Sequence, residues 1–135
     1  MPGPYMLDTD ILIHLLRGKR PELRAKLNAL TGQTVAMSAV TLAELETGAA
    51  KSRAPKRAAQ ALAALTALLP ALPFDAAAAK AYGKLLADLE AKGQTIGPMD
   101  LLIAAHAVSG GFTLATGNGR EFERVQGLGI ESWLK

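Results

Sequence analysis

Short apolar runs alternate with longer stretches of helical spacing along the 135-residue chain. Tyr5-Met6-Leu7 reads as a buried strand leading into a helix over about Ile11–Leu16. Pro21 suits the first turn of a second helix reaching about Leu30. Val35–Met37 is a second strand, followed by a helix from about Thr41 to Ala50. Pro55 starts a helix with Leu62, Leu65, Leu68 and Leu69 at helical spacing, ended by Pro70. Leu72–Phe74 is a third short strand, and Asp75 caps a helix through Tyr82, Leu85, Leu86 and Leu89 that stops at Gly93. Pro98 opens a helix ending near Gly110-Gly111, Phe112–Thr116 is a strand, and Ile130–Trp133 is a final edge strand. Strands alternating with helices predict an α/β domain with a mostly parallel sheet of four to five short strands flanked by helices.

In such sheets ligands gather beyond the carboxyl ends of the strands. Asp8 and Asn118 fall at such ends, and Glu44 and Asp100 fall in the first turns of helices on that side. Three of these four residues place a carboxylate in an apolar neighbourhood, where an ionised group is costly unless paired or metal-bound. Gathered carboxylates repel one another, and a hard divalent cation is the usual reason to tolerate that.

Composition narrows the chemistry. Half the residues are hydrophobic, so residues 1–135 are expected to form one domain with a real core. The absence of cysteine excludes disulfides, iron–sulfur clusters and thiolate zinc sites, and His14 and His106 are too few for a histidine-rich one. Oxygen ligands remain, which favour Mg2+ or Mn2+. A formal charge of +3 beside an acidic site places basic residues elsewhere, as in a protein that holds a polyanion, although +3 also suits many soluble proteins. No basic leader or apolar signal core opens the chain, and the apolar region from Ala58 to Phe74 is interrupted by Gln60, Pro70 and Pro73. A soluble cytoplasmic protein without membrane contact is expected.

Each candidate has a structural rival. Asp8 or Asp10 can cap the following helix, and Thr41-Leu42-Ala43-Glu44 fits a capping box in which the glutamate bonds back to the helix start. Asp100 favours a helix N-terminus by only about 0.3–1 kcal/mol, a gain that does not require aspartate there. Asn118 between two glycines reads most simply as a turn. His14 and His106 are read as helix-face or core residues, and Phe74, Phe112, Phe122 and Trp133 as core. Two basic groups, one around Arg17–Lys26 and one around Lys51–Arg57, read as solvated faces. Arg120 and Arg124 differ because they follow the loop bordering the acidic cleft, where they are candidates for RNA binding.

Taken together, these segments resemble the PIN-domain ribonucleases of the VapC toxin class of toxin–antitoxin systems. Met6-Leu7-Asp8-Thr9-Asp10 is similar to the opening motif of that family. Ser38 to Leu45 with Gly48-Ala49 is similar to the second motif, and Gly97-Pro98-Met99-Asp100 with Ile103 to Ala107 to the third. Thr116 to Val125, then Gly127-Leu128 and Trp133, resembles the C-terminal signature. The resemblance implies a PIN-like fold and a metal-dependent endoribonuclease with Asp8, Glu44 and Asp100 as acidic metal-site residues. Asp8 and Asp100 would be direct ligands, and Glu44 would complete the shell or position the nucleophile. A fourth catalytic position falls on Asn118, where many PIN domains carry an acid. Asp10 stands where asparagine is frequent, and Gly117 replaces a more usual polar residue. The resemblance further implies a structured RNA substrate such as tRNA or rRNA, a cognate VapB-like antitoxin, a homodimer and a higher toxin–antitoxin assembly.

Two other functions compete with this one. Asp8-Thr9-Asp10 after a strand resembles the nucleophile motif of haloacid-dehalogenase phosphatases, although no later paired acids follow and Glu44 goes unexplained. A non-catalytic protein-binding module on a PIN scaffold is the other, against which stands the retention of all three acids.

Overall fold

The computed structural model describes residues 3–30 and 34–134. Its elements in chain order are β1 (Tyr5–Leu7), α1 (Thr9–Arg17), α2 (Pro21–Asn28), β2 (Val35–Ser38), α3 (Ala39–Ala50) and α4 (Pro55–Leu68). They continue as β3 (Ala71–Leu72), α5 (Ala76–Ala91), α6 (Pro98–Gly110), β4 (Thr113–Thr116), α7 (Gly119–Phe122) and β5 (Gly129–Ser132). The sheet runs β3-β2-β1-β4-β5 with every neighbouring pair parallel.

Central β1 explains the two-sided core. Tyr5 pairs with Val35 on one side and Thr113 on the other, and side chains alternate between faces. Tyr5 and Leu7 join one apolar cluster with Ile11, Leu12, Met37 and Trp133. Met6 joins the other, with Leu89, Leu101, Ile103, Leu114 and Phe122. A strand buried on both faces cannot alternate polar with apolar, hence the unbroken Tyr-Met-Leu run.

Sequence and structure differ mainly at element ends. The capping box expected at Thr41–Glu44 is not formed: α3 starts at Ala39, where the Ser38 hydroxyl accepts from Val40 N at 3.1 Å. Glu44 therefore lies in the second helical turn, not the first, and Thr41 is fully buried. Strand β3 stops at Leu72, one residue before a proline that has no N–H for a ladder, and Phe74 lies beyond it. Helix α1 begins at Thr9, α2 ends at Asn28, β4 starts one residue later than expected, and β5 is shifted one residue toward the N-terminus. Asp75 caps α5 as predicted, accepting from Ala78 N at 2.9 Å, and Gly93 follows the helix with a φ of 66°. His106 is a core residue, with Nδ1 2.8 Å from Ser38 Oγ and its ring edge-on to Phe74. Among the described residues no helix is long and apolar enough to cross a membrane.

Candidate active site

The chain leaves β1 toward β2 on one side and later returns to β4 on the other, so the strand order switches between β1 and β4. A crevice at the carboxyl ends of the strands is the geometric consequence. Asp8 directly follows β1 there, its backbone N–H donating to Ala115 O at 2.9 Å. Its extended backbone makes it the N-cap of α1, with Oδ1 accepting from Thr9 N at 2.8 Å. The second oxygen, Oδ2, accepts from the Thr116 hydroxyl at 2.8 Å. Capping and site placement therefore coincide in one residue. With Asp8 only 4% exposed, burial pushes its carboxyl up to about 7, aided by the charges of Asp10 and Asp100 and opposed by the hydrogen bonds from Thr116 and Thr9.

Pro98 begins α6, so Asp100 occupies its third position, half-buried at the helix N-terminus. Burial first, then the charges of Glu121, Glu44 and Asp10, raise its pKa above the ordinary carboxylate value. Glu44 arrives from α3, where the Thr9 hydroxyl donates to its Oε1 at 2.6 Å. Thr9 Oγ1 also lies 3.1 Å from Thr41 Oγ1, which links the start of α1 to α3 a second time. Asp100 thus lies within electrostatic reach of Asp8 on one side and of Glu44 on the other, the three acids coming from three elements.

Asn118 is placed differently. It is exposed at the start of α7, and its Nδ2 donates to Glu121 Oε2 at 3.3 Å. The acid closest in influence to Asp100 is Glu121, whose other oxygen accepts from Gly97 N at 3.0 Å. Asp100 Oδ2 and Glu121 Oε1 both lie within 4 Å of where a Cβ on Gly97 would stand. Sequence reasoning gave Glu121 no role; its separation of one helical turn from Asn118 was the available signal. Thr9 and Thr116 were likewise missed, although each is a hydroxyl adjacent to a motif residue.

Arg120 is exposed on α7, whereas Arg124 is committed in part to structure, donating from Nη1 to Thr95 O at 3.0 Å. The ion pairs among the described residues are Arg20–Glu22, Lys26–Glu131 and Lys92–Asp88, none of which touches the crevice. Among the described residues no lysine or arginine salt bridge compensates the acids there. Every donor is a hard oxygen, which suits a small divalent cation better than a soft metal. Among the described residues no three acids or histidines stand close enough to form a ready-made metal cage.

The fold and crevice are those of a nuclease class. Residues 5–128 match the PIN domain family, and the chain belongs to it. Within that family it groups with VapC ribonucleases. It is 41% identical over 129 residues to the tRNA(fMet)-specific endonuclease VapC of Shigella flexneri, covering 96% of this chain and 97% of that protein. Ribonuclease VapC2 of Haemophilus influenzae is 38% identical over 130 residues, covering 96% and 98%. Among solved structures, VapBC2 from Rickettsia felis bound to a promoter DNA fragment superposes with a TM-score of 0.92 at 36% identity, covering 96% of this chain and 98% of that one. DNA-bound VapBC from Salmonella typhimurium gives 0.91 at 40% identity, covering 96% and 97%.

Proposed function

We propose that this chain is a VapC-type endoribonuclease that depends on Mg2+, with Mn2+ as a substitute. The observation carrying this reading is the convergence of Asp8, Glu44 and Asp100, joined by Glu121, at the sheet's switch point, with no salt-bridge partner among the described residues. Asp8 and Asp100 would hold the cation directly, and Glu44 through water. Magnesium keeps several waters and needs only one or two carboxylates, so the lack of a preformed three-acid cage is compatible with it. The bound cation would supply a Lewis acid and a more acidic water for phosphodiester hydrolysis.

The chain's own residues do the rest. Thr116 and Thr9 N fix both oxygens of Asp8, so its lone pairs are pre-aimed rather than free to rotate. The Thr9 hydroxyl fixes Glu44, which is then placed to orient a nucleophilic water. Glu121 ties the start of α6 to α7 and so holds Asp100 in register with the β4 side of the crevice. Arg120, exposed beside the crevice, would meet backbone phosphates. Asn118 contributes by orienting Glu121.

The relative from Shigella flexneri is named a tRNA(fMet)-specific endonuclease, so structured RNA of the tRNA class is the proposed substrate. The partner is a VapB-like antitoxin, as in the VapBC complexes this fold matches, and a homodimer is the proposed toxin unit. A groove of about 520 Å³ opens beside Glu44, floored by Ile13, Leu16, Leu45 and Leu62 and edged by Arg17 and Arg57. An amphipathic antitoxin segment with acidic flanks suits it. Incubating purified protein with a tRNA pool, with Mg2+ or excess chelator, and sequencing the cleaved ends tests the reading. Magnesium-dependent ends that vanish in Asp100→Asn support it; chelator-resistant cleavage defeats it.

A further inference from the structure

Asp10 and Gly117 lie 107 positions apart and meet in space. Gly117 N donates to Asp10 Oδ2 at 3.1 Å and to Oδ1 at 3.4 Å. Gly117 does not have a positive φ, so the backbone conformation there does not demand glycine. Space does. A Cβ on Gly117 would come within 2.8 Å of Asp10 Oδ2 and would also run into the Leu134 side chain. Real Cβ atoms do not show such approaches, so Asp10, Leu134 or the loop must move.

The loop they join carries site chemistry. Thr116, one residue before Gly117, donates its hydroxyl proton to Asp8 Oδ2 at 2.8 Å. The Thr116 hydroxyl oxygen in turn accepts from Asn118 N at 3.0 Å. Residues 116–118 are therefore gripped from two sides, by Asp8 through Thr116 and by Asp10 through the Gly117 N–H. Released from Asp10, residues 116–118 would keep the bonds of Thr116 to Asp8 and to Trp133 N and that of Asn118 to Glu121, but the Gly117 N–H between them would lose its partner and the aim of the Thr116 hydroxyl on Asp8 would loosen.

We infer that Asp10 is a positioning residue for the reaction and that the bare backbone of Gly117 is its required counterpart. Asp10 acts through the loop on Thr116, and through Thr116 on Asp8, without touching RNA. The inference rests on the ribonuclease reading, and its test separates the two.

The test uses the full-length protein, with amide exchange in chelator followed by kinetics on tRNA with Mg2+. In Asp10→Ala, protection of the Gly117 and Asn118 amides should fall by about tenfold or more, while amides in the core of α5 keep theirs. In kinetics, Asp10→Ala should lower kcat about tenfold with KM within about twofold, because loop position matters to the transition state more than to binding. Asp10→Asn retains a side-chain oxygen that can accept from Gly117 N and should recover most of both losses. Gly117→Ala should resemble Asp10→Ala, and the double variant should be no worse than the poorer single one, since both break one contact. Combining Gly117→Ala with Leu134→Ala removes the competing clash and should leave the defect in place. Multiplicative losses in the double variant, unchanged amide protection in Asp10→Ala, or an Asp10→Asn as impaired as Asp10→Ala would each overturn the inference. A wild-type protein that cleaves no RNA would sink the ribonuclease reading while the amide measurements still decide whether Asp10 holds the loop.

Discussion

Thr9 and Glu44 are joined by a 2.6 Å hydrogen bond from the threonine hydroxyl to Oε1, linking the start of α1 to the second turn of α3. A hydroxyl has one proton, so this bond to a carboxylate commits it, and the Thr41 hydroxyl at 3.1 Å must supply the proton of the second contact. The pair fixes where the glutamate's charge sits relative to Asp8, the residue immediately before Thr9.

Thr9→Val keeps the side-chain shape and removes the donor. Bonds to charged groups contribute about 1.5–3 kcal/mol, but Glu44 is half-buried and can recover water, so the stability loss should be about 1 kcal/mol. The larger effect should be on kcat. Glu44→Gln retains an acceptor for Thr9 while losing the charge, and should melt near wild type while cleaving at least about tenfold more slowly. A Glu44→Gln protein that unfolds readily yet keeps its specific activity would return Glu44 to a structural role.

Arg120 and Arg124 should respond differently. Arg120→Ala removes an exposed charge and should weaken RNA binding while lowering the salt slope by about one phosphate contact. Arg124→Ala also loses the bond to Thr95 O, so it should lower the melting temperature as well. Binding isotherms at several salt concentrations, paired with melting curves, check both. An Arg120→Ala variant with unchanged affinity and salt slope would place the RNA elsewhere.

The legible parts of this molecule were those governed by neighbours in sequence. Tyr5-Met6-Leu7 announces a two-sided strand, Asp75 announces a cap, and Pro98 announces a helix start that puts Asp100 in its first turn. The capping box at Thr41–Glu44 misled because it is a local pattern that an equally local rival, Ser38, had already replaced three residues earlier. Asn118 drew attention as a loop residue at a strand end. Glu121 accepts from Gly97 N, 24 positions away, and no spacing rule reaches that far. The Asp10–Gly117 contact is more remote still, and only parallel pairing of β1 with β4 brings the two together.

Stability of the metal-free protein should fall as pH rises. Asp8 is raised from 3.8 to about 7, and Asp10 and Asp100 shift the same way, chiefly through burial. A carboxyl with a raised folded-state pKa favours folding below its unfolded value and loses that contribution as pH climbs through the folded one. The Asp8 part of the loss, between about pH 4 and 7, is at most about 4 kcal/mol. Chemical denaturation in chelator at pH 5 and pH 8 measures the part above pH 5, at most about 3 kcal/mol. Asp8→Asn should flatten the decline; a wild type equally stable at both pH values would show that Asp8 is not held neutral by burial.

Magnesium should reverse the penalty that these carboxylates impose. At pH 8 and in chelator, wild type carries a buried Asp8 charge facing Asp10 and Asp100, whereas Asp8→Asn carries a neutral amide of nearly the same volume. The amide has one acceptor oxygen where the carboxylate has two, so one of the bonds from Thr9 N and Thr116 is lost, at about 1 kcal/mol. Relief of the buried charge is the larger effect, and the variant should melt higher than wild type in chelator. With magnesium at about a hundred times its dissociation constant, wild type should gain about 2.7 kcal/mol, because a ligand that binds only the folded state stabilises it by mass action. The variant lacks a proposed direct ligand and should gain much less, so the two melting curves should converge or cross when the cation is added. A simple helix cap predicts the opposite pattern, with the variant less stable in both conditions and the magnesium shift undiminished. Four melting curves, wild type and variant each with chelator and with magnesium, separate the cases, and the cap-like pattern would remove Asp8 from the cation site.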